Sequence, residues 1–190
     1  MSTKTSTMIP HERIGVVLGR EGAAKAEIER AFKVKLTVHS DSGTIEVTPA
    51  DDNDDPSTIL RAKDVVTAVG RGFSPERAMA LVDDDVVLDV IDLRELFGKS
   101  ESDINRVKGR VIGSEGKMRR LLEEMTEAKV SVYGSTISMI GEFESVSAAR
   151  QAIEMLLKGK QHSSVYKFLR RAKTESKKRK TLELWEKPPR

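Results

Sequence analysis

The chain has 190 residues, 38% hydrophobic and 33% charged, enough for one or two small domains with solvated surfaces. It has no cysteine and only three well-separated histidines (His11, His39 and His162), which excludes a disulfide scaffold or thiolate site and argues against zinc or histidine catalysis. The net charge is +3 but unevenly spread: about +1 over residues 1–49, about −8 over 50–103, about +2 over 104–159 and about +8 over 160–190, a pattern that suits a polyanion binder.

In chain order, residues 6–9 read as a strand, followed by a short helix ending at Leu18, a tight turn at Gly19–Gly22 and a helix over Ala23–Phe32. Two strands follow, 35–40 and 44–48, joined by Asp41-Ser42-Gly43. Asp51 to Asp55 form an acidic turn before a helix over Ser57–Val69. Ser74-Pro75-Glu76 opens a helix to about Leu81, and Asp83-Asp84-Asp85 ends it. Neither aspartate run has the spacing or the glycine of a calcium loop. A strand over 86–93 leads to a second short helix, ending at Ile112. Then come a turn at Gly113–Gly116, a helix over Lys117–Thr126, strands at 129–133 and 136–141, and a helix over 145–157. Residues 163–180 read as a basic helix capped by Ser163 or Ser164, with a disordered end from about Lys177 and Trp185 beyond it.

This order contains a repeat. Residues 13–47 lie over 107–139 with Gly15, Gly19 and Gly22 on Gly109, Gly113 and Gly116, Ile28-Glu29 on Leu122-Glu123, and Leu36 and Val38 on Val130 and Val132. Each copy reads strand, helix, helix, strand, strand, helix. The expected fold is α+β, with three helices on one face of a three-stranded sheet, twice. The expected domains are 1–82, including a linker helix, 83–160, and a basic helix with a tail at 161–190.

Gly19-Arg20-Glu21-Gly22 and Gly113-Ser114-Glu115-Gly116 each join two helices. Glycine lets the chain turn sharply and lets a ligand backbone come close, and the following helix offers N–H groups at its positive end. Arg13, Arg20 and Lys25 surround the first loop, and Lys108, Arg110, Lys117, Arg119 and Arg120 the second. Val17, Leu18, Ile28, Leu36 and Val38, or Val111, Ile112, Leu121, Val130 and Val132, would form an apolar wall for bases. A narrow groove of this kind takes about four unstacked nucleotides and excludes a duplex. Walker and dinucleotide motifs do not fit, because no Lys-Ser or Lys-Thr follows and each loop follows a helix.

Ile14-Gly15-x-x-Leu18-Gly19-x-x-Gly22 and Lys108-Gly109-Arg110-Val111-Ile112-Gly113-x-x-Gly116 resemble the KH signature in its type I order. The second copy, from KGRVIGSEGKMRRLLEE to AARQAIEMLLKGKQHSSVYKFLRR, resembles the archaeal form of the partner-of-Nob-one (dim-two) family. That resemblance implies a factor in small-ribosomal-subunit maturation that binds single-stranded rRNA near the 3′ end of 16S rRNA. It also implies partnership with the endonuclease that trims that end and with an initiation factor subunit.

The expected RNA-binding residues are Arg13, Gly19, Arg20, Glu21, Gly22 and Lys25 in the first copy. In the second they are Lys108, Arg110, Gly113, Ser114, Glu115, Gly116, Lys117 and Arg120. On the terminal helix, Arg170 and Arg171 would form a cationic rail, with Tyr166 and Phe168 docking the helix. No catalytic residue, metal or cofactor is expected. An acid at the last variable loop position departs from the KH pattern. Glu21 and Glu115 either point outward or serve the next helix as early-turn acids. Arg20 offsets the first acid, and more cations flank the second loop, which is expected to carry more of the RNA affinity. The other reading is a protein-interaction scaffold whose KH grooves no longer bind RNA. A nuclease would need a carboxylate cluster on one face, which the two aspartate turns do not supply. No apolar run approaches the roughly 18 to 20 residues that span a bilayer. Met1–Pro10 lack a secretory-signal pattern, so a cytoplasmic protein without membrane contact is expected.

Overall fold

The computed structural model describes residues 4–50 and 55–186. It contains two three-stranded antiparallel sheets. In the first, β1 (Thr5–Met8) and β2 (Val34–His39) flank β3 (Thr44–Pro49). In the second, β4 (Val86–Asp92) and β5 (Lys129–Tyr133) flank β6 (Thr136–Glu142). The registers are matched: Ile45 of β3 faces Thr7 and Val38, and Ile137 of β6 faces Ile91 and Val132.

The helices of the first unit are α1 (His11–Leu18), α2 (Ala23–Phe32) and α3 (Pro56–Gly70), with a one-turn α4 (Pro75–Ala78) after it. The second unit has α5 (Leu93–Phe97), α6 (Glu101–Ile112), α7 (Lys117–Thr126) and α8 (Phe143–Leu157), and α9 (His162–Glu186) follows. Starts are set by side chains that accept the first free N–H groups. Asp55 Oδ1 accepts from Ser57 N at 2.9 Å ahead of Pro56, and Asp92 Oδ1 accepts from Arg94 N at 2.8 Å. The Asp55 carboxyl is thereby held below the usual range. Asp51 to Asp54 lie outside the described residues.

Each sheet buries one face under its own helices. Val17, Ile28, Leu36, Ile45, Val47 and Val66 form the first core, and Val111, Leu122, Val130, Ile137, Met139 and Ile153 the second. The outer face of the second sheet is covered too. Ile140 of β6 belongs to the first core, with Val86 and Leu88 packed against it. Gly72 makes this close approach possible. At φ +99, a Cβ there would lie 2.7 Å from both Ser131 Oγ and Tyr133 Cβ. Ser131 Oγ donates to the Arg71 carbonyl at 2.8 Å beside it. The two units therefore share a buried seam.

The structure departs from the sequence reading in four places. A helix, α5, occupies Leu93–Phe97, where the strand was expected to run on to Leu93. Helix α9 begins at His162, with the Gln161 carbonyl accepting from Val165 N at 3.2 Å, so neither Ser163 nor Ser164 caps it. It continues to Glu186, where disorder from Lys177 was expected. Finally, Val165 and Leu169, both fully buried, dock α9 with Phe168 half-buried against the same core, whereas Tyr166, expected to dock it too, is exposed. Which residues of the helix face α7 and α8 is set by tertiary packing, which periodicity alone does not fix.

Candidate nucleic-acid interface

The two loops have nearly identical backbones. Gly19 (φ 72, ψ −178) and Gly113 (φ 73, ψ 176) end α1 and α6 in a conformation open only to glycine. A Cβ on either would lie 2.7 Å from the Cβ and 2.8 Å from the backbone N of Ala24 or Met118. Gly22 and Gly116 are also left-handed, yet a Cβ on either would meet nothing within 4 Å. The first glycine of each loop is fixed by the protein's own packing, and the second keeps an approach open to the outside.

Glu21 (φ 51) and Glu115 (φ 52) are left-handed as well and exposed. Neither α2 nor α7 has a side-chain cap at its glycine N-cap; the first N–H of each helix donates to the Arg20 or Ser114 carbonyl, and no side chain caps the N–H groups that follow. Two successive left-handed residues, Glu21-Gly22 and Glu115-Gly116, turn the chain sharply into a helix N-terminus, whose positive end suits an anion.

The cations named from sequence divide into two groups. Arg20, Lys117, Arg120, Arg170 and Arg171 are exposed, and Lys25 and Lys108 half-exposed. Arg120 also donates to the Glu115 carbonyl at 2.9 Å, bracing the loop, and Lys25 pairs with Glu29 at 3.8 Å. Arg13 and Arg110 are engaged elsewhere. Arg13 donates to the Val69 and Phe73 carbonyls at 2.8 and 2.6 Å, closing the C-terminal end of α3. Arg110 does the same for α8 through Leu156 and Lys160. On α9, Lys173 donates to the Glu124 carbonyl and Arg179 pairs with Glu144, so these two cations hold the helix down.

The apolar walls are also narrower than expected. Val17, Ile28, Leu36, Val111 and Val130 are core, leaving Leu18 and Val38, or Ile112 and Val132, half-exposed along the groove. Leu121 lies on the opposite side of α7, toward α9. One pair of groove residues was visible in the repeat without an assigned role. Glu29 Oε1 accepts from Leu36 N and Glu123 Oε1 from Val130 N, both at 2.8 Å. Each carboxylate ties its helix to the free edge of β2 or β5. Because an antiparallel ladder alternates, the N–H of Val38 and Val132, two residues on, faces the same edge. Among the described residues no group of His, Asp and Glu is arranged to hold a metal ion, and no helix is long and apolar enough to cross a membrane.

This geometry fits the comparisons with known proteins. Residues 87–174 match the family described as "Eukaryotic type KH-domain (KH-domain type I)", and residues 16–84 match the "Krr1 KH1 domain". A KH domain-containing protein of Methanocaldococcus jannaschii is 47% identical over 179 residues, covering 94% of this chain and 78% of that protein. A chain in the crystal structure of the a/eIF2alpha–aDim2p–rRNA complex from Pyrococcus horikoshii OT3 superposes with a TM-score of 0.86 at 39% identity, covering 92% of this chain and 96% of that one. The pre-rRNA-processing protein pno1 of Schizosaccharomyces pombe is 25% identical over 147 residues, covering 77% of this chain and 61% of that protein. Two type I KH units in tandem, two glycine loops in register and relatives of this extent lead to one conclusion: the chain belongs to the Dim2 (Pno1) family of KH-domain RNA-binding proteins of pre-rRNA processing.

Proposed function

We propose that the chain holds single-stranded rRNA near the 3′ end of 16S rRNA during small-subunit maturation and presents it to other factors without cutting it. The observation that carries this reading is the contrast within each loop, where the first glycine is packed shut and the second is open to an approaching backbone. Phosphates follow Gly19–Gly22 and Gly113–Gly116, drawn by Arg20, Lys25, Lys108, Lys117 and Arg120. Ser114, Glu21 and Glu115 line that path. Bases lie against Leu18 and Val38, or Ile112 and Val132. Residues 1–82 and 83–160 are the two binding units, and Arg170 and Arg171 in 161–190 extend the second. The work is cytoplasmic. The partners are the endonuclease that trims the rRNA end and an initiation factor subunit, the latter supported by the complex of the Pyrococcus relative with a/eIF2alpha and rRNA.

The exposed carboxylates of Glu21 and Glu115 favour a second reading, a scaffold whose grooves hold no RNA. Ultraviolet crosslinking of the protein to 16S precursor rRNA, with mapping of the linked nucleotides, separates the two. Crosslinks concentrated near the rRNA 3′ end and on peptides carrying the two loops are expected. Crosslinks scattered along the rRNA, or absent from both loops, would reject the reading.

A further inference from the structure

Beside the second loop lies a pocket of about 430 Å³ that the KH groove does not use. Gly113, Ser114 and Lys117 form one side, Met118 and Leu121 of α7 the floor, and His162 and Tyr166 of α9 the other side. The groove runs between α7 and the edge of β5, where Glu123 meets Val130 N. Lys117 and Leu121 are on another face of α7, turned toward α9 by the helical period.

We infer that this pocket is a nucleobase subsite, taking one unpaired base of the strand whose phosphates lie on Gly113–Gly116. The inference rests on the proposed function and adds a recognition element to it. Three observations commit the site to a base. First, the pocket is continuous with the loop, because Gly113 and Ser114 line both. A base whose phosphate sits on the loop hangs one sugar away. Second, the lining is almost wholly apolar, with Met118, Leu121 and the Tyr166 ring among its residues. The flat face of a base fits such walls. Third, the Arg170 guanidinium lies 5.9 Å from the Tyr166 ring centroid, so the ring is backed by a cation and the surroundings favour a polyanion.

The packing of α9 does not account for the pocket. Val165 and Leu169 carry that packing and are fully buried, while Tyr166 remains 42% exposed. Among the described residues the first copy differs at the matching place: Ala23 and Glu27 stand where Lys117 and Leu121 stand, both are exposed, and a single turn at Met79–Val82, not a long helix, packs on α2 and α3 there. The subsite therefore gives the second unit affinity that the first lacks.

Tyr166→Ala and Tyr166→Phe test this on the full chain with a short single-stranded RNA, in which single abasic sites are placed at each position in turn. Tyr166→Ala should weaken binding about tenfold, the worth of one base–aromatic stack, and Tyr166→Phe should bind like the parent. The salt slope of Tyr166→Ala should match the parent, because no charge is removed. One abasic position should weaken the parent about tenfold and leave Tyr166→Ala unchanged, since the stack is already gone. Parent-like binding by Tyr166→Ala, or additive losses at every abasic position, would overturn the subsite. If a loop variant such as Ser114→Asp still loses affinity in that case, the groove reading stands without the pocket. If the loop variant also binds like the parent, the proposed function itself fails.

Discussion

Tyr133 at the end of β5 donates its hydroxyl to Glu12 in the first turn of α1 at 2.5 Å, across 121 positions of sequence. The Arg13 guanidinium lies 5.5 Å from the Tyr133 ring centroid, and its N–H groups hold the end of α3. The rim of the second groove is thus fastened to the helix that leads into the first loop. The helix before the first loop and the strand beside the second groove therefore meet across the seam.

The Glu12 hydrogen bond favours the neutral phenol and holds the Tyr133 hydroxyl above its ordinary range. Because the folded-state pKa is raised, this contribution is intact below the unfolded value and lost as pH rises through the folded one. Tyr133→Phe should cost about 0.5 kcal/mol at neutral pH, a modest figure for a partly exposed bond. Its stability should also fall less than the parent's as pH rises past about 10. Urea unfolding of both proteins at pH 7.5 and 10.5 measures this, and equal alkaline losses would contradict it.

The two glycines of each loop should respond differently to a methyl group. Gly113→Ala meets Met118 Cβ and N and a glycine-only backbone, so it should cost about 3 kcal/mol or more. Gly116→Ala has free space and only left-handed strain, so its cost should be about 1 kcal/mol. Thermal or urea unfolding ranks them, and a smaller loss at Gly113 would show that the loop is not held by its own packing.

Glu123 serves two partners, since Oε1 also accepts from Arg77 at 2.5 Å across the seam between units. Glu123→Ala should leave Val130 N unpaired and the cross-unit contact cut, costing about 2 kcal/mol. Glu29→Ala loses the Leu36 contact and a weak pair with Lys25, and should cost about 1 kcal/mol. Amide exchange should accelerate at Val130 in the first variant and at Leu36 in the second. Unchanged exchange at both amides would contradict the tie between helix and edge strand.

Val165 and Leu169 are the fully buried anchors of α9. Leu169→Ala should cost about 2–4 kcal/mol, because a fully buried side chain leaves a cavity, and the C-terminal helix should become sensitive to protease. Tyr166→Ala should leave stability within about 0.5 kcal/mol of the parent, as expected at an exposed position. The reverse ranking would return α9 to the docking by Tyr166 read from the sequence.

The sequence carries the loops and the helices after them because their signals are local. A glycine that must turn left-handed, followed by a 3.6-residue period, places Ala23–Phe32 and Lys117–Thr126 within the strand–helix–helix order. Helix α5 was hidden because Val86–Leu93 is apolar enough to read as one strand, and the Asp92 cap is a single-residue signal. The roles of Arg13 and Arg110 were illegible, because each closes a helix at least 46 positions away, and tertiary structure alone brings those carbonyls near. The seam between units had a faint signature. Thr136-Ile137-Ser138-Met139 alternates polar and apolar and only Ile140 breaks the pattern, yet all five are buried because the strand is covered on both faces. In the site, residue types named the cations, but only the packing separates those facing outward from those that cap helices.

The central claim is that an open glycine bend beside an uncapped helix start holds the backbone of a single RNA strand. The most direct measurement is a titration of the full chain, and of the Ser114→Asp, Glu115→Asp double variant, with a short pyrimidine-containing single-stranded RNA. Aspartate tolerates the left-handed position of Glu115 better than glutamate does, so the fold should be preserved, as circular dichroism and unfolding would verify. A loss of at least about tenfold in affinity is predicted, together with a shallower salt slope, as two carboxylates at the loop repel the phosphates. Unchanged affinity in a folded variant would contradict the claim and leave the second loop a mere joint between helices.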